Sequence, residues 1–511
     1  MLQRRVPLIA VAGLILAAAA CSGDGGDDGA GDATSAFQTD PSCFGVETAG
    51  LSAGEVTCGH VTVPADHDNP EGPTIRVAVA VLPATSGEAG DTPVMMLEGG
   101  PGGHLVEPAL TNPALRSRLS LGPKTVLIDQ RGVGLSQPEL ACPDYVETVR
   151  QAGYTEPIEA EVEVLAGCDD RLAEQGIDVS AFDSQAIAAD VAAIRQALGY
   201  DQMHLRAASY GAEVALRAAA AHPDRVASLL LSSPVDPGRN WVAEAPAVLD
   251  RALGAVLGAC AADLECANAF GDLRAQVRRA TDRLVDDPAQ VQVRHLDGSS
   301  ETVGYTATAA ASHLRLLLYL QPAVGVERMP AVIAQAAQGN YTPLATLGRR
   351  TEQRVLGQIS HGQHYAVQCA GPGARLSPGD MQVGDAPLVA DDLVSAERAL
   401  IGVCDDWDVP PLPAGGGPPA PDVPALIVSG RFDPVTPPSY GAAIAERSPA
   451  SVHVEVPDVG HGALEHLGRC GRDLAAAFLA DPAAGRDALP TGCVAERAYQ
   501  PATQLEPILG G

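Results

Sequence analysis

Four short segments carry residue types that could do covalent chemistry. In Ala207-Ala208-Ser209-Tyr210-Gly211 a serine sits between small residues, after the apolar stretch 203–205 and before the Ala-rich stretch 212–221. Strand, sharp turn and helix in that order hold a hydroxyl away from the backbone. Small neighbours let strand and helix close on each other, and the usual form is G-x-S-x-G. Ala207 stands where that form has its first glycine, so a serine that merely caps the helix is the competing reading. Glu98-Gly99-Gly100-Pro101-Gly102-Gly103 follows the apolar run 93–97. Such a turn can present backbone N–H groups to a developing oxyanion, because residues without a Cβ let the oxygen come close. It lacks the G-K-[ST] ending of a phosphate loop. Asp433 lies in Ser429–Pro437, after the run 425–428, and His461 lies in Asp458-Val459-Gly460-His461-Gly462, after the run 452–456. Asp236, after the run 226–231, is the substitute acid.

These residues suit acyl transfer. Ser209 would be the nucleophile, His461 its general base and Asp433 the group that fixes the imidazole. The backbone N–H groups of Gly100 and Tyr210 would hold the oxyanion. No cofactor and no metal is expected.

The elements that must position them follow from hydrophobic pattern. Strands are predicted at 75–82, 93–97, 125–128, 203–205, 226–231, 425–428 and 452–456, and helices at 186–198, 212–221 and 474–479, with Gly199 as a stop. Strands alternating with helices imply a parallel sheet in an α/β architecture. Between 238 and 421 the pattern turns to Ala-rich helices and ends in a Pro/Gly-rich linker. The expected organisation is therefore a core over 42–237 and 422–511, interrupted by a mostly helical insertion over 238–421 that covers Ser209.

The 511 residues carry a formal charge of −30, which argues against nucleic acid as a partner. Residues 1–21 read as an export signal: two arginines, an apolar run too short for a comfortable membrane span, then small residues before Cys21. The stretch Leu16-Ala17-Ala18-Ala19-Ala20-Cys21 resembles a bacterial lipobox, which would make Cys21 the lipidated N-terminus, although Ala18 stands where leucine is usual. Ordinary cleavage and full secretion is the alternative. Residues 22–41 form an acidic, Gly-rich tether that cannot bury enough apolar surface to fold. The other ten cysteines suit disulfides in an oxidising compartment, the simplest pairing being nearest neighbours. Sequence leaves their connectivity open. No C-x-x-C pair suggests zinc.

Taken together, Gly99-Gly100-Pro101-Gly102, the segment Asp129–Ser136 (DQRGVGLS), Ser209-Tyr210-Gly211, Asp433–Pro437 (DPVTP) and Gly460-His461-Gly462 resemble the α/β hydrolases of the prolyl aminopeptidase and tripeptidyl aminopeptidase (TAP-like) group. Cys404 with Trp407, and Cys470 with Cys493, are similar to the C-terminal part of the tripeptidyl branch. The resemblance spans residues 43–493. It implies an α/β-hydrolase fold and a serine peptidase releasing N-terminal residues or short peptides. Asp129 and Arg131 are expected to brace loops. Acidic residues of the insertion, with Glu244, Glu265, Glu327 and Glu352 as candidates, would hold a substrate amine. Glu98 replaces the histidine of the prolyl aminopeptidase H-G-G-P-G motif, and Ala207 and Ala212 replace frequent glycines. A carboxylesterase or lipase-like hydrolase with the same triad, and a catalytically inactive lipoprotein binding module, are the alternatives. The expected partners are a peptide or small acyl substrate and, through Cys21 alone, a membrane; the chain is expected to be a monomer.

Overall fold

The computed structural model describes residues 36–504 except 52–53, 86–91, 152–157, 296–297, 375, 377–378, 385–387, 389–393, 395–398 and 413–421. The expected export signal, residues 1–21 with Cys21, lies outside the described residues.

Eleven strands are present among the described residues. They are β1 (Phe37–Thr39), β2 (Thr57–Pro64), β3 (Thr74–Leu82), β4 (Val94–Leu97), β5 (Thr125–Asp129), β6 (Met203–Ala208), β7 (Val226–Ser232), β8 (Ala289–Arg294), β9 (Ser300–Tyr305), β10 (Ala425–Gly430) and β11 (Ser451–Val456). Nine of them make one sheet in the order β1-β2-β3-β5-β4-β6-β7-β10-β11. The first three pair antiparallel, and β3 joins β5 antiparallel. From β5 to β11 every pairing is parallel.

A parallel sheet is covered on both faces, so its strands read as unbroken apolar runs. In β4, Met95 and Leu97 enter one core cluster while Val94 and Met96 enter another. In β10, Ala425 and Ile427 are divided from Leu426 and Val428 in the same way. The predicted helices at 186–198, 212–221 and 474–479 are found as Ser184–Ala197, Gly211–Ala221 and Arg469–Ala480. Gly199 takes a φ of 73°, as its stop role requires.

Between β7 and β10 the chain builds helices around a third apolar cluster. The longest is Trp241–Ala262. Two features differ from the expectation. The insertion also contains the antiparallel hairpin β8–β9, of six residues a strand; β8 alternates buried and exposed positions, whereas β9 ends in three buried residues. The predicted start at 75 misses β1 and β2, which extend the sheet antiparallel.

All ten described cysteines are paired with their sequence neighbours: Cys43–Cys58, Cys142–Cys168, Cys260–Cys266, Cys369–Cys404 and Cys470–Cys493.

Candidate active site

The chemistry-bearing segments all leave the carboxyl ends of parallel strands, the edge where open α/β sheets gather their sites. Ser209 follows β6 with a φ of 53°. A non-glycine residue in that region costs about 1–3 kcal/mol and needs its surroundings to hold it. Here the Ser209 N–H donates to Ser232 O (3.0 Å), and Ser209 O accepts from Val235 (3.1 Å) and Ala212 (3.1 Å). Gly211 then opens the helix. A Cβ there would stand 2.3 Å from Leu97 O, so the close approach of helix and β4 requires glycine. Ala207, the departure from the usual pattern, is accommodated: its methyl is buried within β6, opposite Leu97. Ala212 is equally buried.

The glycine loop after β4 lies against the serine. A Cβ on Gly99 would come within 2.9 Å of Ser209 Cβ. Gly100 and Gly102 have φ of 118° and 90°. Among the described residues, the N–H groups of Gly100 and Tyr210 donate to no protein acceptor, which leaves both available. The insertion grips this loop from outside. Ser360 N–H donates to Gly102 O (2.9 Å), and Ile359 bridges to Gly103. Asp129 fixes the loop's far end by accepting from Leu105 (2.7 Å) and Val106 (2.9 Å) and, with its other oxygen, from Leu135 (3.0 Å). Burial raises its pKa, against the pull of these donors. Arg131 is fully buried. It pairs with Asp190 (2.7 and 2.5 Å) and donates to Pro64 O, Ala65 O and Ala181 O. Both residues brace loops, as expected.

His461 and Asp433 meet directly. His461 Nδ1 lies 3.0 and 2.9 Å from the two Asp433 carboxylate oxygens. Asp433 is fully buried and accepts from Val435 N–H (2.9 Å), Thr436 N–H (2.8 Å) and Thr436 Oγ1–H (2.9 Å). Burial works against the carboxylate, but His461 and these donors outweigh it and hold the pKa below its ordinary value. Asp236 is engaged elsewhere, with Arg447 (2.5 Å) and Gly238 N–H (2.9 Å). That sets it aside as the acid.

Ser209 and the histidine loop share one scaffold. Ser232 O accepts from Ser209, while Ser233 Oγ accepts from Gly462 (3.1 Å) and Ala463 (3.2 Å). No direct Ser209–His461 hydrogen bond forms among the described residues. Such bonds are commonly long before substrate binds. The insertion also seats His461 and Asp433. Leu318 O accepts from His461 N–H (2.9 Å), and the Tyr319 ring lies 4.8 Å from the imidazole. Arg251 donates to Arg431 O (2.8 Å) and Asp433 O (2.6 Å).

Sequence reasoning missed Ser232, Ser233, Arg251, Leu318, Tyr319 and Ser360. Most act on or through backbone groups, which leave no spacing to read. Thr436 sat within the DPVTP motif and could have been found. Of the insertion's acids, Glu244 is taken up by Arg239 (2.9 Å) and Tyr440 (3.1 Å), and Glu352 by Arg349 (2.8 Å). Glu265 is exposed and Glu327 half-buried.

Residues 92–374 match the model of the alpha/beta hydrolase fold, and residues 391–489 that of TAP-like proteins. The chain belongs to the α/β hydrolases, in their TAP-like group. Serine protease Hip1 of Mycobacterium tuberculosis is 26% identical over 427 residues, covering 77% of this chain and 79% of the relative. The tripeptidyl aminopeptidase of Streptomyces lividans is 32% identical over 202 residues, 37% of each chain. The crystal structure of a proline iminopeptidase from Mycobacterium smegmatis is similar with a TM-score of 0.40 and 17% identity, over 83% of this chain and 98% of that one. The chain is accordingly an enzyme, a serine hydrolase of the peptidase group.

Proposed function

We propose that the chain is an exported aminopeptidase that releases N-terminal residues or short peptides through an acyl-enzyme on Ser209. His461 takes the serine proton as Oγ attacks the carbonyl carbon. Asp433 holds the tautomer and stabilises the imidazolium, and the N–H groups of Gly100 and Tyr210 receive the oxyanion. His461 then protonates the leaving amine, and water repeats the sequence to free the acyl group. The observation that carries this reading is the buried Asp433–His461 contact beside a serine held at φ 53° against the Gly99–Gly103 loop. The tripeptidyl aminopeptidase relative and the TAP-like match favour N-terminal release over ester cleavage. Residues 238–421 would act as the lid that admits the substrate. Five disulfides support work outside the cytoplasm, with Cys21 as the proposed lipid anchor.

The test is a panel of free and N-blocked aminoacyl and tripeptidyl amides beside simple esters. Free N-termini should be preferred. Equal cleavage of blocked peptides would leave a serine hydrolase that is not an aminopeptidase, and turnover of esters alone would favour the carboxylesterase reading. Ser209→Ala should lower turnover by on the order of 10⁴ or more and abolish fluorophosphonate labelling. Unlabelled native protein would point to the inactive binding module.

A further inference from the structure

A cavity of about 260 Å³, lined by no residue of 238–421, lies next to the helices Pro113–Leu119 and Arg469–Ala480. Its walls include Leu115, Leu119, Leu121 and Ala475. Three of its lining residues stand beside the reactive loops: Glu98 before Gly99, Ala208 before Ser209, and Leu464 three positions after His461.

Its charges are unevenly matched. Two carboxylates, Glu98 and Glu465, line it together with one buried cation, Arg206. Arg206 donates to Glu465 Oε1 (3.2 Å) and to Leu119 O (3.2 Å), and its Nε has no hydrogen-bond partner. Glu465 is further bonded to Ser232 Oγ (2.5 Å). Glu98 forms no ion pair among the described residues and has only the Gly99 N–H as a donor. Burial first, then repulsion from Glu465, push its pKa up, while Arg206 holds that of Glu465 down against burial. Arg206 and His104 draw the Glu98 pKa the other way without pairing with it, so the lining has one carboxylate outside any ion pair among the described residues. Arg118 and Arg472, both exposed, also line the cavity, and neither is paired among the described residues. Those two arginines stand free to meet an anion at the cavity's rim.

We propose that this cavity is a second binding site, separate from the acyl site, for a free peptide of one or two apolar residues. The protonated amine goes to Glu98, the carboxylate to Arg118 and Arg472, and the side chains lie against the leucines. A dipeptide extends at most about 7 Å, and the volume is near the lower end of small-molecule sites. The link to the reaction is Ser232. Its hydroxyl joins Glu465 to Leu464 N–H (3.2 Å), and its carbonyl receives the Ser209 N–H. Ligand in the cavity therefore bears on the serine and on the histidine loop together. Binding itself does not depend on the aminopeptidase reading; only the supply of such peptides by the enzyme does.

The experiment is calorimetric titration of full-length protein whose acyl site is blocked by a fluorophosphonate, with Ser209→Ala as a parallel sample. The ligands are Leu-Leu, N-acetyl-Leu-Leu and Leu-leucinamide. Leu-Leu should bind both samples. Removing its amine should weaken binding about tenfold or more, as should Glu98→Gln. The double change Arg118→Ser with Arg472→Ser should erase the preference for Leu-Leu over Leu-leucinamide while leaving the need for an amine. Absence of binding, equal binding by Glu98→Gln, or binding lost once Ser209 is capped but kept in Ser209→Ala would overturn the proposal. The last outcome would assign the peptide to the acyl site and leave the hydrolase reading standing. Failure of the native protein to take up fluorophosphonate would instead count against Ser209 as nucleophile, and the Ser209→Ala titration would still decide the cavity.

Discussion

Replacing Gly460 by alanine should unseat the insertion from the histidine loop. The new Cβ would lie 1.9 Å from Leu318 O, where real Cβ contacts stay beyond 3.0 Å. The carbonyl must therefore retreat by roughly 1 Å, a gap that forfeits up to about half of a packing contact. That carbonyl accepts the His461 N–H at 2.9 Å, and the adjoining Tyr319 ring covers the imidazole. Gly460 is not in the left-handed region, so the alanine acts by bulk and not by backbone strain. Overpacking of this kind costs about 1–3 kcal/mol, which a domain of ordinary stability tolerates. Displacing a reacting group by about 1 Å can cost roughly 10² in rate. The variant should stay folded in urea titration yet lose about two orders of magnitude in turnover of an activated ester and in the rate of fluorophosphonate labelling. Gly485→Ala is the control, because its Cβ would meet no atom within 4 Å. A folded Gly460→Ala enzyme with native turnover would refute the idea that the insertion seats the base.

Two further outcomes concern stability. Burial, and then repulsion from Glu352, push Glu161 up to about 7 from an ordinary 4.5. The folded state thus holds that proton more tightly than the unfolded chain, so ionising Glu161 destabilises the protein progressively from about pH 4.5 to 7 and by a constant amount above. Glu161→Gln should gain up to about 3 kcal/mol at pH 8 and nearly nothing at pH 4.5, read as denaturation midpoints; an equal effect at both pH values would contradict it. Arg131→Met leaves Asp190 with only His67 (2.8 Å) and three carbonyls unanswered in the interior and should cost about 3–5 kcal/mol, with Asp190→Leu restoring part of the loss. A loss below about 1 kcal/mol would mean that the pair is not the brace it resembles.

Sequence by itself determined the strands of the parallel sheet, because burial on both faces writes unbroken apolar runs such as Met95–Leu97 and Leu426–Val428. It also singled out Ser209, Asp433 and His461 as candidates, because each follows such a run in a turn with its own residue signature. It ranked Asp433 ahead of Asp236, which also follows a strand, but what each carboxylate meets is decided by the tertiary structure, which takes Asp236 to Arg447 and Asp433 to His461. Nor could it read the hairpin β8–β9, whose strands are six residues long and of which only β8 alternates. The support of the site was the least legible part. Leu318, Ser360 and Arg251 act on backbone atoms far away in the chain, and a hydrogen bond to a carbonyl asks nothing of the partner's side chain. Residue type therefore recorded where the candidate reactive groups stand, while the packing of the insertion against the sheet decided what holds them there.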